Sequence, residues 1–377
     1  MSTLTFASRE DITQYEWDNQ RKDWKRPAVD PKVLKQLSAR STVHGFLRLA
    51  FFLFLLVASA LATVYVSRVN IWLAIPVLYV YWFFYGFWAA PAHELQHKSM
   101  FGPAFDGFSE VLFRVVFFLL WTSPTYARIS HKLHHRYTMV RGLDPETDWP
   151  DVISTKWLRR FVLYTLSRVL VVGALYELFK AVRMNAQRVA GRLSASTEYQ
   201  VEKPVGMRDH CTDEDIRRIR VESGLILLGH SLIAAAAVVF GRWELLLFIT
   251  IAWQVGQAME SLWHATKHIA RPKNVNDHRL NTRSIKVSWF IKIIFWGLDD
   301  HVEHHLYPIV PASNLPKLHR VMQQDLPEAH NFFGCWAEMF ETARQKDQDP
   351  NREFVSVESR GGEKGAVDEQ KAEALWT

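Results

Sequence analysis

Hydrophobic and polar positions alternate along the chain in long blocks. No charged residue falls between Leu49 and Val66, and a second uncharged run extends from Val69 to Ala92. At 1.5 Å per residue each run is long enough to cross a hydrocarbon core of about 30 Å, the first with help from snorkelling ends. Only Ser67 and Arg68 separate them, which predicts a tight helical hairpin. A second, shorter pair covers residues 224–240 and 245–259, joined at Gly241 and Arg242, with His230 interrupting its first member.

Charge orients these hairpins. Arg21, Lys22, Lys25, Arg26, Lys32, Lys35 and Arg40 precede the first, whose turn holds only Arg68. Arg217, Arg218 and Arg220 precede the second, whose turn holds only Arg242. The positive-inside rule then predicts both termini and the long central loop on the cytosolic side. The segments 111–121, 157–182 and 285–298 mix Phe, Leu, Val and Trp with basic residues such as Arg114, Arg159, Arg160 and Arg168, the pattern of helices lying in the interface or capping a cytosolic domain. From about Gln345 onward Gly, Glu, Lys and Asp dominate, and disorder is expected.

The predicted fold is an all-α integral membrane protein with four transmembrane helices in two hairpins and a cytosolic helical cap. Its divisions are a cytosolic N-terminal segment at 1–45, a membrane domain at 46–330 with spans at 49–66, 69–92, 224–240 and 245–259, and a polar, partly disordered tail at 331–377.

Composition narrows the function classes. Hydrophobic residues make up 49% and aromatic residues 13%, in keeping with a membrane domain, and the net charge of +6 is explained by topology. No nucleic-acid-binding module accompanies that charge, so no nucleic-acid partner is expected. The polar first 45 residues predict no cleavable signal peptide, so insertion is expected to start from an internal span. Two cysteines, Cys211 and Cys335, without a CxxC pairing argue against a disulfide scaffold or a cysteine-ligated metal. No internal repeat or glycine-rich phosphate loop is visible.

The chemistry lies in the histidines. Ten of sixteen fall in four clusters: His93 and His97; His131, His134 and His135; His264 and His268; and His301, His304 and His305. On a helix, positions i, i+3 and i+4 share a face, so each cluster presents its imidazoles in one direction. All four are expected on one membrane face. Single histidines are ordinarily surface or satisfied core residues, the reading given to His44, His210, His230, His278, His319 and His330. Four clusters together predict a metal site, because unpaired polar groups near lipid are costly. Eight to ten imidazoles suit two metals with more than four ligands each, whereas one zinc takes four. Imidazole suits iron, copper, zinc and nickel alike, so ligand type alone leaves the metal open.

The clusters resemble the histidine boxes of the membrane fatty-acid desaturase and hydroxylase superfamily over roughly residues 45–330. The stretch from His301 to Pro311, followed by Asn314 to His319, is similar to the third box and its sequel. His131 to Thr138 resembles the second box, and Asp144 to Asp148 resembles the acidic stretch after it. The resemblance implies a centre of two iron ions held by the ten clustered histidines, molecular oxygen as oxidant, and attack on an unactivated C–H bond. It implies desaturation of an acyl chain or similar amphiphile, with hydroxylation of an alkane or lipid, or desaturation of a small amino-acid-derived compound, as alternatives. Family members commonly carry Asn where this chain has His264, which leaves open whether that position binds iron directly or through water.

Asp299 and Asp300 precede the last box and are candidates to orient imidazoles, while His319 and the acidic stretch at 144–148 are expected to be structural. No cytochrome b5-like domain is visible, so a separate ferredoxin or cytochrome b5-type electron donor is expected, and a basic cytosolic surface suits an acidic donor. The membrane is bacterial inner membrane or endoplasmic reticulum. Rival readings are a zinc protease, because His93 to His97 reads HExxH, an alkane hydroxylase, whose first box is similar to His93 to Lys98, and a metal transporter. The protease leaves three clusters unexplained, the alkane hydroxylase branch carries a further tyrosine-containing box not found here, and a transporter would carry ligands inside the spans.

Overall fold

The computed structural model describes Trp17 and residues 24–147, 149–193 and 206–352. Arg21, Lys22, Asp148 and the tail beyond residue 352 lie outside the described residues. The architecture is mostly helical. The one sheet among the described residues is a parallel pairing of Ile285–Lys286 with His330–Asn331.

Three helices are long and apolar enough to cross a membrane: Thr42–Val69, Ile71–Gln96 and Asp213–Val239. Leu47, Phe54, Val57, Leu61, Tyr65 and Trp72 stand exposed on the first two, an apolar belt that water would not tolerate and lipid would cover. Ser41 caps the first helix by accepting from the His44 backbone N–H. The hairpin turn falls at Asn70, not at Ser67 and Arg68. The Ser67 hydroxyl donates to the Val64 carbonyl at 2.8 Å and stays helical, whereas the extended Asn70 ends one helix and caps the next through Trp72 N at 2.8 Å.

The second helix runs as Ile71–Gly86 and resumes as Ala89–Gln96, carrying His93 to the end of the span. Helix Asp213–Val239 begins well before the apolar run at residue 224, because Thr212 and Asp215 form a capping box and Asp213, Glu214 and Asp215 occupy its first turn. His230 is a satisfied core residue. Its ring stacks on Trp121 at 3.8 Å and Phe118 at 4.5 Å, and its Nε2 meets the Phe118 carbonyl at 3.2 Å.

The stretch expected as a fourth span, 245–259, is not a continuous α-helix. It is a π-helical turn, Leu246–Thr250, leading into the helix Ala252–His268. Aromatic donors take the carbonyls of that turn: Trp82 Nε1 to Leu247 O at 2.8 Å, Tyr81 hydroxyl to Phe248 O at 2.7 Å, and Trp121 Nε1 to Thr250 O at 3.0 Å. Aromatic spacing along the sequence does not reveal that arrangement. A different pair, Thr155–Ser167 and Val172–Val189, is bent by 94° and is together apolar enough to count as a fourth candidate.

Two further elements depart from expectation. Residues 332–348, read as the start of a polar tail, form the helix Phe332–Gln348, with Cys335 buried and with Met339 and Ala343 packed against Leu158, Phe161 and Ala265. Within the N-terminal segment, Pro31–Leu37 is a helix capped by Asp30, and its Val33 and Leu37 pack against Val302, Leu306, Leu315 and Leu318 around the last histidine box.

The helices bearing His93 and His268 cross at glycines. A Cβ on Gly86 would lie 2.1 Å from the Gly256 carbonyl, and one on Gly256 would lie 2.4 Å from Trp82 O and 2.6 Å from Gly86 N. Backbone faces backbone, so neither side can yield. Gly256→Ala is expected to force the helices apart and destabilise the protein by at least the ~1–3 kcal/mol typical of overpacking, read as a fall in thermal midpoint in detergent.

Candidate metal centre

Three connections fix where the histidines stand. The N-terminus of helix Pro124–Tyr137, bearing His131, His134 and His135, is bound to Glu222 of the Asp213–Val239 helix, which accepts from Ser123 Oγ at 2.6 Å, Thr125 N at 3.0 Å and Thr125 Oγ1 at 2.8 Å. The short helix His301–Leu306 starts where Ser284 Oγ accepts from Val302 N at 2.9 Å and donates to Glu303, whose other oxygen is bonded to His319. Glu94 turns away from its neighbouring histidines, and its carboxylate accepts from Ala312 N at 3.3 Å, tying the first box to the segment after the last.

Nine of the ten clustered histidines converge into two groups. His93, His97, His131, His135 and His304 form one, and His134, His268, His301 and His305 the other, with ligand atoms inside each group within 4.8 Å of one another. Each three-histidine box splits the same way. The i and i+4 rings, about 40° apart round the helix, go to one group and the i+3 ring to the other. The groups adjoin, with the His135 and His305 ring centroids 4.5 Å apart.

His264 is the exception. It belongs to neither group, sits partly exposed on a cavity wall, and lies 3.7 Å from the Glu260 carboxylate. Asp299 and Asp300 pair with Lys292 at 2.8 and 2.9 Å. The carboxylates that meet imidazoles are instead Asp144, 2.9 Å from His134 Nδ1, and Glu146, 3.2 Å from His131 Nδ1. Asp144 also accepts from Met139 N and Glu146 N. His268 Nδ1 faces the Asn281 carbonyl at 3.1 Å, and His305 Nδ1 faces Thr138 Oγ1 at 3.2 Å.

Sequence reasoning assigned the 144–148 stretch a structural role and gave no role to Thr138 or Asn281. An acidic pair nine and eleven residues after the end of a box was the one available signal. Of the single histidines, His278 is buried and stacks on Trp24 at 3.9 Å.

These acceptors fix protons. An Nδ1–H donated to a carboxylate, carbonyl or hydroxyl leaves Nε2 as a bare lone pair. The Nε2 atoms face one another: His97 to His131 at 2.9 Å, His131 to His135 at 3.1 Å, His135 to His304 at 3.1 Å, His268 to His301 at 3.1 Å and His301 to His305 at 3.2 Å. Burial, reinforced by neighbouring imidazoles, holds His135, His304 and His305 well below the usual histidine range, so they are neutral at pH 7. Burial opposes ionisation of Glu146, but His131 outweighs it and brings the carboxyl down to about 2.

The donor set fits bound metal. Both ring nitrogens of His93, and Nδ1 of His135, His301 and His304, are buried with no hydrogen-bond partner, although orphaned buried groups are expensive. The nitrogens of each group lie within 4.8 Å of one another, close enough for one ion to be held among them.

A cavity of about 390 Å³ adjoins both groups, running from Phe87, Phe117 and Trp121 to His93, His131 and His301. An apolar helical frame, a histidine centre with room for metal and an adjoining cavity define a membrane metalloprotein of the histidine-box class. The chain belongs to the fatty acid desaturase family, whose model matches residues 70–336 and so takes in every clustered histidine. The family is known for di-iron sites and places the chain among desaturase- and hydroxylase-type oxidoreductases. No curated protein matches the chain.

Asp144→Asn removes the charge that orients His134 while leaving an oxygen for Met139 N. It should weaken metal retention about 10–100-fold, as loss of an outer partner does. Chelator competition on the purified protein would measure it.

Proposed function

We propose that this chain is an O2-dependent di-iron desaturase that introduces a double bond into an amphiphilic substrate. The observation that carries this reading is the convergence of nine buried imidazoles into two adjoining groups with facing Nε2 atoms. His93, His97, His131, His135 and His304 would hold one iron and His134, His268, His301 and His305 the other, with His264 facing the cavity beside them. When bound, the iron pair supplies the oxidising power to remove hydrogen from an unactivated C–H bond, using O2 and electrons from a separate ferredoxin or cytochrome b5-type donor. The balance is closed by water: two substrate hydrogens, two external electrons, two protons and one O2 give the alkene and two waters.

The chain's own residues do the rest. Asp144, Glu146, Thr138 and the Asn281 carbonyl hold the Nδ1 protons of His134, His131, His305 and His268, so that these four imidazoles offer a lone pair inward. Phe87, Phe117, Leu120, Trp121 and Phe295 bring an apolar part of the substrate toward His93 and His301 and keep bulk water away. Hydroxylation is the close alternative, separated by product mass: loss of two mass units for an alkene, gain of sixteen for an alcohol.

The Glu94 contact with Ala312 N weighs against the protease reading, since a general base must face substrate and water. The two readings rank variants oppositely. His304→Ala is expected to abolish activity and lower bound iron, while Glu94→Gln retains activity within about 10–100-fold of wild type. Glu94→Gln inactive beside a near-fully active His304→Ala would end the oxidase reading.

The termini and histidine boxes are proposed to be cytosolic, with two hairpins returning the chain to one side. This rests on Lys25, Arg26, Lys32, Lys35 and Arg40 preceding the first span and on helix Pro31–Leu37 packing against the last box. Tags at either terminus should be reachable from the cytosol and a tag at Arg68 only from the opposite side. The reverse pattern would refute the orientation.

A further inference from the structure

One wall of the cavity is polar but for Trp253 at its end. The helix Ala252–His268 contributes Gln254, Gln257, Glu260, Ser261, His264 and Lys267 to it, a stripe at helical spacing running toward the ligand candidate His268. Glu177 and Lys180 also line it, paired with each other at 3.2 Å. A tunnel made for plain methylenes would carry Leu, Phe and Val at such positions, because each polar group a hydrocarbon covers loses its water without gaining a partner.

Two buried groups on this wall are incompletely satisfied. Gln254 is 1% exposed, and its Oε1 accepts from Gln257 at 3.0 Å while its Nε2 makes no hydrogen bond. Lys267 is 2% exposed, and its ammonium makes no ion pair among the described residues. Its charge rests over the Phe295 ring at 5.1 Å, and the Glu260, Glu146 and Asp299 carboxylates act on it from beyond ion-pair distance. Both are donors, so the group that completes them is an acceptor, and opposite the cation it is an anion. The two stand about 20 Å apart along the helix, too far to share one small group.

Resting on the di-iron oxidase reading, we propose that the substrate is a medium-chain amphiphile that brings a carboxylate into the cavity. Lys267 pairs with that carboxylate near the metal centre, and Gln254 donates to a second acceptor on the same molecule. The carbon oxidised then lies within a few bonds of the carboxylate, in contrast to a long acyl chain attacked far from its polar end.

Calorimetric binding of octanoate and of uncharged methyl octanoate to the iron-loaded full chain in detergent tests this without turnover. Octanoate is expected to bind the wild type more tightly than its ester. Lys267→Met should weaken octanoate binding at least about tenfold, the size of a lost charge-assisted hydrogen bond, and leave the ester unchanged. Gln254→Leu should abolish the gain in affinity that 12-hydroxydodecanoate, long enough to reach from Lys267, shows over dodecanoate. Equal wild-type affinity for acid and ester, or octanoate binding untouched by Lys267→Met, overturns the proposal. Iron content measured on the same samples separates the two readings: absent iron refutes the metal assignment, and absent selectivity for the acid refutes this one.

Discussion

Neutral imidazoles buried against one another compete for protons. Two rings can share one hydrogen between facing nitrogens, but five or four rings with converging Nε2 atoms cannot all be satisfied that way. For four of the nine the competition is settled from outside, because Glu146, Asp144, the Asn281 carbonyl and Thr138 hold protons on the Nδ1 atoms of His131, His134, His268 and His305 and leave their lone pairs pointing inward. Lone pairs facing one another at about 3 Å repel unless a cation stands between them, and metal ligation is the ordinary resolution. The remaining contacts then read as bracing. Glu222 holds the second box, Ser284, Glu303 and His319 hold the last, and Glu94 ties the first box to Ala312.

Such a centre needs helices brought close together without filling the space between them. The Gly86–Gly256 crossing provides the approach, and the π-helical turn at Leu246–Thr250 shifts the register of the following helix. The carbonyls displaced by that turn are taken by Tyr81, Trp82 and Trp121, and Trp121 also lines the cavity. Packing, the metal centre and the cavity are therefore coupled through the same few side chains.

The two leading spans and the histidine clusters were legible in the sequence because each rests on local spacing: an uncharged run long enough for lipid, and imidazoles at i, i+3 and i+4. What spacing alone could not supply was the partner. Asp144 and Glu146 reach imidazoles only because the chain turns back after Tyr137, whereas Asp299 and Asp300, adjacent to a box in sequence, are drawn to Lys292. His264 and His268 share a spacing with His93 and His97, yet one of them faces the cavity, since neighbouring helices decide which part of a helical face is covered. The helix Phe332–Gln348 was hidden for a similar reason. Its apolar residues, Met339 and Ala343 with Trp336 and Phe340 beside them, find cover on residues distant in sequence.

Two adjoining groups of imidazoles, each able to enclose one ion, are the centre of this account. Metal analysis of the full chain, produced with ample iron and purified in detergent, addresses that claim directly. Two irons per chain is the result predicted. A reproducible content of one zinc and no iron under the same conditions would contradict it.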